Sequence, residues 1–219
     1  MTEPGKVLYV IVCAAGPAGD VGKLVTLAQD DGWIVQIVAT PNALDFIDVP
    51  ALEKQTGRPV RSRYRKFSDP KPPRADAIIV APATYNTINK FAQGIADTYA
   101  LGLLAEAPGL GIPVVILPFV NSALAARNPF RHSIDSLRSE GIAVLLGAEQ
   151  FEPHPPSTGI DQIDTFPWDL TLTALQVHFS EHAENDSWPP AFFGSVRADR
   201  SDVAARTGEI LAEGFGRDD

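Results

Sequence analysis

The sequence has a single cysteine, Cys13. No intrachain disulfide can hold the fold, and a reducing, cytoplasmic setting is the expectation. No apolar run reaches the ~18 residues that a membrane-spanning helix needs, so a helical membrane anchor is not expected. The start, Met1-Thr2-Glu3-Pro4-Gly5-Lys6, lacks the basic and apolar regions of a secretory signal. Positive charge is scarce as well, with 18 Lys and Arg against 27 Asp and Glu for a net charge of -9. Nucleic acid is therefore a poor partner, although a helix start can hold one phosphate through backbone N–H groups whatever the global charge. No segment reads G-x-G-x-x-G. No carboxylate closes the second strand, where Thr40 stands instead. A nicotinamide dinucleotide usually wants both. No internal repeat is present.

What remains is an ordinary globular composition, 45% hydrophobic and 21% charged. The 219 residues read as one domain over 1–182 followed by a C-terminal extension over 183–219. Val7-Leu8-Tyr9-Val10-Ile11-Val12-Cys13 is a short, continuous, β-branched run, as in a parallel strand buried on both faces. Val21, Leu24, Val25, Leu27 and Ala28 then recur at helical spacing, and Asp31-Gly32 ends that helix before a second strand over 33–39. Short helices follow over 43–47 and 50–56, then a brief third strand over 59–62 and a loop through 61–74. A fourth strand covers 77–81, and helices cover 84–94 and 97–105. A fifth strand covers 113–117. A helix over 123–139 is interrupted or restarted at Pro129, and a sixth strand covers 142–146. After a polar, proline-rich stretch a last helix covers 169–182. Strands alternating with helices predict a doubly wound parallel sheet, Rossmann-like. Its ligand would bind where the strands end, in the loops after residues 13, 39, 81 and 117.

Two of these loops carry polar chemistry. After the first strand, Gly16 and Gly19 lie between strand and helix, either as a phosphate seat or as a tight turn needing small residues. After the fourth, Pro82 ends the strand, Thr84 is placed to cap the coming helix, and Asn86 and Thr87 add an amide and a hydroxyl to the first turn. Capping alone needs one of those three side chains. The cluster suits a phosphate or the edge of a flat heterocycle.

Ala81-Pro82-Ala83-Thr84-Tyr85-Asn86-Thr87-Ile88-Asn89-Lys90, followed by Gly94-Ile95-Ala96-Asp97, resembles the signature of the homo-oligomeric flavin-containing cysteine decarboxylases. These include phosphopantothenoylcysteine decarboxylase and the lantibiotic peptidyl-cysteine decarboxylases. Pro118-Phe119-Val120-Asn121 is similar to that family's Pro-Ala-Met-Asn segment, and Asn128-Pro129 follows it. The resemblance spans about 7–146. It implies a Rossmann-like flavoprotein fold that binds flavin mononucleotide (FMN) between protomers of a trimer, sometimes assembled into a dodecamer. By position it implies flavin contacts at Ala15, Gly16, Thr40, Asn42, Thr84, Asn86 and Thr87, with Phe119 near the ring and Asn121 facing the substrate. The implied chemistry is oxidation of a cysteine thiol on a small molecule or peptide C-terminus, followed by loss of carbon dioxide.

The chain departs from that pattern before the fourth strand. The family carries a histidine there, whereas Lys66-Phe67-Ser68-Asp69-Pro70-Lys71-Pro72-Pro73-Arg74 has none. Asp69 is the candidate proton acceptor in its place, provided that its surroundings adjust its pKa. Two other functions follow from the same residues. One is a non-catalytic FMN-binding subunit, favoured by the missing base. The other is a prenyl-flavin synthase, for which Arg61, Arg63, Arg65 and Lys66 offer a basic patch, although the 82–87 turn matches the decarboxylases better. Of the histidines, His154 reads as an exposed loop residue, with approach to a substrate as the alternative. His132, His178 and His182 read as surface or packing residues, and no metal site is expected. Cys13 reads as core. Residues 188–193, rich in Trp and Phe, read as an aromatic segment that packs on its own domain or covers a substrate or neighbouring subunit.

Overall fold

The computed structural model describes residues 5–66, 71–148 and 150–183. The described residues up to Ser180 belong to one compact unit. Most of the expected extension, with 188–193, lies outside the described residues, as does Asp69.

The strands are β1 (Val7–Val12), β2 (Ile34–Ala39), β3 (Ala77–Ala83), β4 (Val114–Pro118) and β5 (Ala143–Val144). They pair in parallel in the order β2-β1-β3-β4-β5. The helices are α1 (Gly22–Asp30), α2 (Val49–Thr56), α3 (Tyr85–Ala92), α4 (Tyr99–Glu106), α5 (Ser122–Ala125), α6 (Asn128–Ser139) and α7 (Trp168–Ala183).

Side-chain alternation along β1 explains the layering. Leu8, Val10 and Val12 face one way and pack with Leu24 and Val25 of α1, Leu52 of α2 and Leu172 and Leu175 of α7. Tyr9, Ile11 and Cys13 face the other way, against Ile88 and Phe91 of α3, Leu101 and Leu104 of α4 and Phe130, Ile134 and Leu137 of α6. A strand covered on both faces has no polar side to show, hence the unbroken apolar runs. The chain leaves β1 for β2 on one side and returns across it to β3 on the other. The strand order therefore reverses between β1 and β3, which is where sheets of this kind bind ligands.

Several expected elements take a different form. The strand expected over 59–62 is reduced to one parallel bridge between Val38 and Arg61. Pro59, which has no N–H to donate, contributes only its carbonyl, accepting from Gln36 Nε2 at 2.8 Å. The helix expected over 43–47 is a tight helical turn over Pro41–Asp45. The strand expected over 142–146 keeps only Ala143–Val144. The helix expected over 123–139 is restarted as expected, as two helices with Pro129 in the first turn of the second, where its missing N–H costs nothing.

Candidate functional site

A pocket of about 370 Å³ opens at the reversal point. Ala14 after β1, Thr40, Pro41 and Asn42 after β2, and Thr84, Asn86, Thr87 and Lys90 around the start of α3 line it, with Thr98 and Leu101 of the α4 region opposite. Thr84 caps α3, its hydroxyl accepting from Thr87 N–H at 3.4 Å. The two hydroxyl oxygens lie 3.1 Å apart. Thr98 caps α4 in the same way, accepting from Leu101 N–H at 3.2 Å. Two helix starts thus face one cavity, each ending in a threonine hydroxyl, and the N–H groups of a first turn are not consumed by the helix itself. Lys90 is the cation on the wall and is ion-paired with Asp97.

The structure therefore gathers Thr40, Asn42, Thr84, Asn86 and Thr87 around a single cavity. Ala15, Gly16 and Phe119 stand outside its lining. A Cβ added to Gly16 would lie 3.1 Å from Ile163 Cδ1 and 3.3 Å from Phe119 Cε1, so that glycine permits close packing of the 159–163 segment. Phe119 is nevertheless next to the pocket in register, because its N–H donates to the carbonyl of Ala83, the residue before Thr84, at 2.8 Å. Asn121 caps α5, its Oδ1 accepting from Leu124 N–H at 2.9 Å.

His154 is a correction. It is buried rather than exposed, at 8%. Its ring centroid is 4.8 Å from that of Phe119, and Asn121 and His154 form a parallel bridge. Phe151 and Phe166 complete an aromatic cluster with Phe119, at 6.4 and 5.8 Å between centroids. The 151–166 segment is thereby fastened to the end of β4.

Cys13 is core, as expected, at 1% exposed. Its Sγ donates to Thr87 Oγ1 at 3.3 Å, and burial pushes the thiol pKa up. His132 is exposed and His178 half-buried. Among the described residues no group of three or more His, Cys, Asp or Glu is placed to hold a metal, and no helix is long and apolar enough to cross a membrane.

Ala14, Pro41, Lys90, Thr98 and Leu101 line the pocket without having been expected from the sequence. Lys90 had a signal, since it stands i+4 from Asn86 and i+3 from Thr87 and so shares their helix face. Thr98 and Leu101 arrive across a loop and had none.

This is the ligand-binding end of a doubly wound α/β protein, with a polar pocket built on two helix starts. The chain belongs to the Flavoprotein family, whose model matches residues 2–164. It is 29% identical over 155 residues to the coenzyme A biosynthesis bifunctional protein CoaBC of Thermococcus kodakarensis, covering 68% of this chain and 37% of that protein. It is 32% identical over 111 residues to a probable phosphopantothenoylcysteine decarboxylase of Arabidopsis thaliana, covering 46% of this chain and 54% of that one. The chain thus spans only about a third to a half of those relatives. Among solved structures it is similar to the FMN-dependent cysteine decarboxylase TvaF from thioviridamide biosynthesis. That match has a TM-score of 0.54 at 26% identity and covers 64% of this chain and 88% of that one. The FMN-binding protein AtHal3, with a TM-score of 0.57 at 19% identity over 74% of this chain and 95% of that one, shares the fold.

Proposed function

We propose that this chain binds FMN in the pocket between β1, β2 and the start of α3, and uses it to oxidise a cysteine-type thiol whose carboxylate is then lost as carbon dioxide. The observation that carries the reading is the convergence of Thr40, Asn42, Thr84, Asn86 and Thr87 on one cavity at the reversal point of the sheet. The donor set fits the group. Hydroxyls, amides and helix-start N–H groups suit a phosphate and a hydroxylated chain, while Pro41 and Leu101 offer apolar surface to a flat ring. FMN would supply the two-electron acceptor, and the protein's part is to orient and desolvate it.

The chain's own residues have distinct tasks. Thr84, Asn86 and Thr87 hold and orient the cofactor. Phe119, one strand over, limits water at the reacting edge. Asn121 spends its carbonyl oxygen on the α5 cap, so the group it offers a substrate carboxylate is its NH2. Asp69 takes the place of the missing histidine as proton acceptor. The substrate is a small thiol or a peptide ending in cysteine. The working form is a homo-oligomer, a trimer or a dodecamer built of trimers, in the cytoplasm.

The visible spectrum of the purified protein, alone and with excess FMN, tests the reading. A bound-flavin spectrum is expected, and none even in excess FMN would sink it. Asn86→Ala should weaken FMN by roughly 1 kcal/mol, the worth of a typical hydrogen bond, as read by fluorescence titration. Carbon dioxide release from phosphopantothenoylcysteine or from cysteine-terminated peptides separates catalyst from binding subunit. Flavin bound without release on any such thiol would assign the non-catalytic role.

A further inference from the structure

The wall of the pocket continues inward as a chain of three hydrogen-bonding side chains. Cys13 Sγ lies 3.3 Å from Thr87 Oγ1, and Thr87 Oγ1 lies 3.1 Å from Thr84 Oγ1. Cys13 and Thr87 are 1% and 5% exposed, whereas Thr84 is half-buried and lines the pocket. Three side-chain hydrogens serve these two links, so one hydrogen is left over, on Cys13, Thr87 or Thr84 according to the direction of each bond.

Were Cys13 and Thr84 both to donate to Thr87, the spare hydrogen would be an O–H on a residue only 5% exposed, where an unmet donor is costly; the other two arrangements place it at an end of the chain. Run inward, the Thr84 and Thr87 hydroxyls donate toward the core, and the chain ends on sulfur. A thiol sulfur is a weak acceptor, and the spare hydrogen would be an S–H inside the apolar cluster that holds Cys13. Run outward, the thiol donates to Thr87, and Thr87 donates to Thr84. Oxygen is then the acceptor at both links, and the spare hydrogen is the Thr84 O–H at the pocket wall. Thr84 Oγ1 already accepts from Thr87 N–H, which agrees with its acting as acceptor within the protein and donor outside it. Burial favours the protonated thiol, so the donor that starts the outward run is present at neutral pH.

We infer that Cys13 is a positioning residue: through Thr87 it fixes the Thr84 hydroxyl as a donor aimed into the pocket, and so selects a ligand with a hydrogen-bond acceptor at that point. The consequence for FMN rests on the function proposed above. The direction of the Cys13–Thr87 link does not, and it can be read without any ligand.

Because Cys13 is the only cysteine, the infrared S–H stretching band of the protein reports this one thiol. The band should lie below that of a free thiol in the wild type and return toward it in Thr87→Val. A free-thiol band in the wild type overturns the inference, whether or not FMN binds. With FMN, the dissociation constants of wild type, Cys13→Ala, Thr84→Val and the double variant form a cycle. Cys13→Ala should weaken FMN about threefold to tenfold, the range for one hydrogen bond. The double variant should bind as Thr84→Val does, because the loss at Cys13 acts only through Thr84. Cys13→Ser, which keeps a donor, should recover part of the affinity. Effects that multiply independently, or an alanine variant equal to wild type, would overturn the inference. A wild type that takes no FMN while keeping its shifted S–H band would instead overturn the FMN reading alone.

Discussion

At the scale of single residues, the polar groups set into the core govern how the protein responds to pH. Tyr9 is the clearest case. It lies on β1 in the cluster with α3, α4 and α6, and its hydroxyl donates to the Pro73 carbonyl at 2.7 Å. Burial, followed by the neighbouring Tyr99, raises its pKa from 10.0 to about 12, with Arg61 and Arg58 pulling the other way. A raised folded-state pKa means that the folded chain keeps its proton longer than the unfolded chain does. The associated stability is complete below pH 10.0 and is lost as pH rises toward about 12. Urea unfolding at a series of pH values should show stability falling across that window. Tyr9→Phe should flatten the fall, and at neutral pH it should cost about 1 kcal/mol for the lost hydrogen bond. An unchanged alkaline profile in that variant would remove Tyr9 as the cause. The bond also serves the site, because it ties the chain just ahead of β3, the strand that delivers Thr84, to β1.

At the scale of elements, what sequence reveals divides along local and non-local lines. The long apolar strands were legible because each carries its own burial pattern, and the α3 start was legible because cap, turn and helix face are set within a few residues of Thr84. The bridge at Arg61 was overread as a strand, since its pairing depends on the edge of β2 rather than on its own sequence. His154 was misread for the same kind of reason. Its surroundings in sequence, Pro153 and Pro155, signal a loop, while its burial comes from Phe119 and Asn121 more than thirty positions earlier. Gly159 tests how firmly that segment is fastened. A Cβ there would lie 3.0 Å from His154 Cε1 and 3.4 Å from Phe119 Cε1, so Gly159→Ala forces the ring or the segment to shift. A loss of about 1–3 kcal/mol is expected, as for an overpacked core, measured by urea unfolding. Gly109→Ala is the control, since a Cβ there meets nothing within 4 Å. If the two variants are equally stable, the segment is not held by this packing.

For the molecule as a whole, the question is what closes the pocket. Its walls come from the strand ends and the starts of α3 and α4, and Pro41, Asn42 and Asn86 among its lining residues are exposed. Sites for small organic ligands usually bury 70–90% or more of the ligand, so a flavin held here needs a further wall. The proposed homo-oligomer would provide one, with a second copy of the chain covering the ring. Occupancy and assembly would then be linked. Anything that binds only the assembled form stabilises it, by about 2.7 kcal/mol at a hundredfold excess over its dissociation constant. Sedimentation velocity with and without FMN should show flavin absorbance travelling with a species larger than the 23.5 kDa chain, and dilution should release flavin and dissociate that species together. Flavin that sediments at full occupancy with the single chain, and stays bound on dilution, would show that one protomer completes the pocket and that assembly plays no part in holding the cofactor.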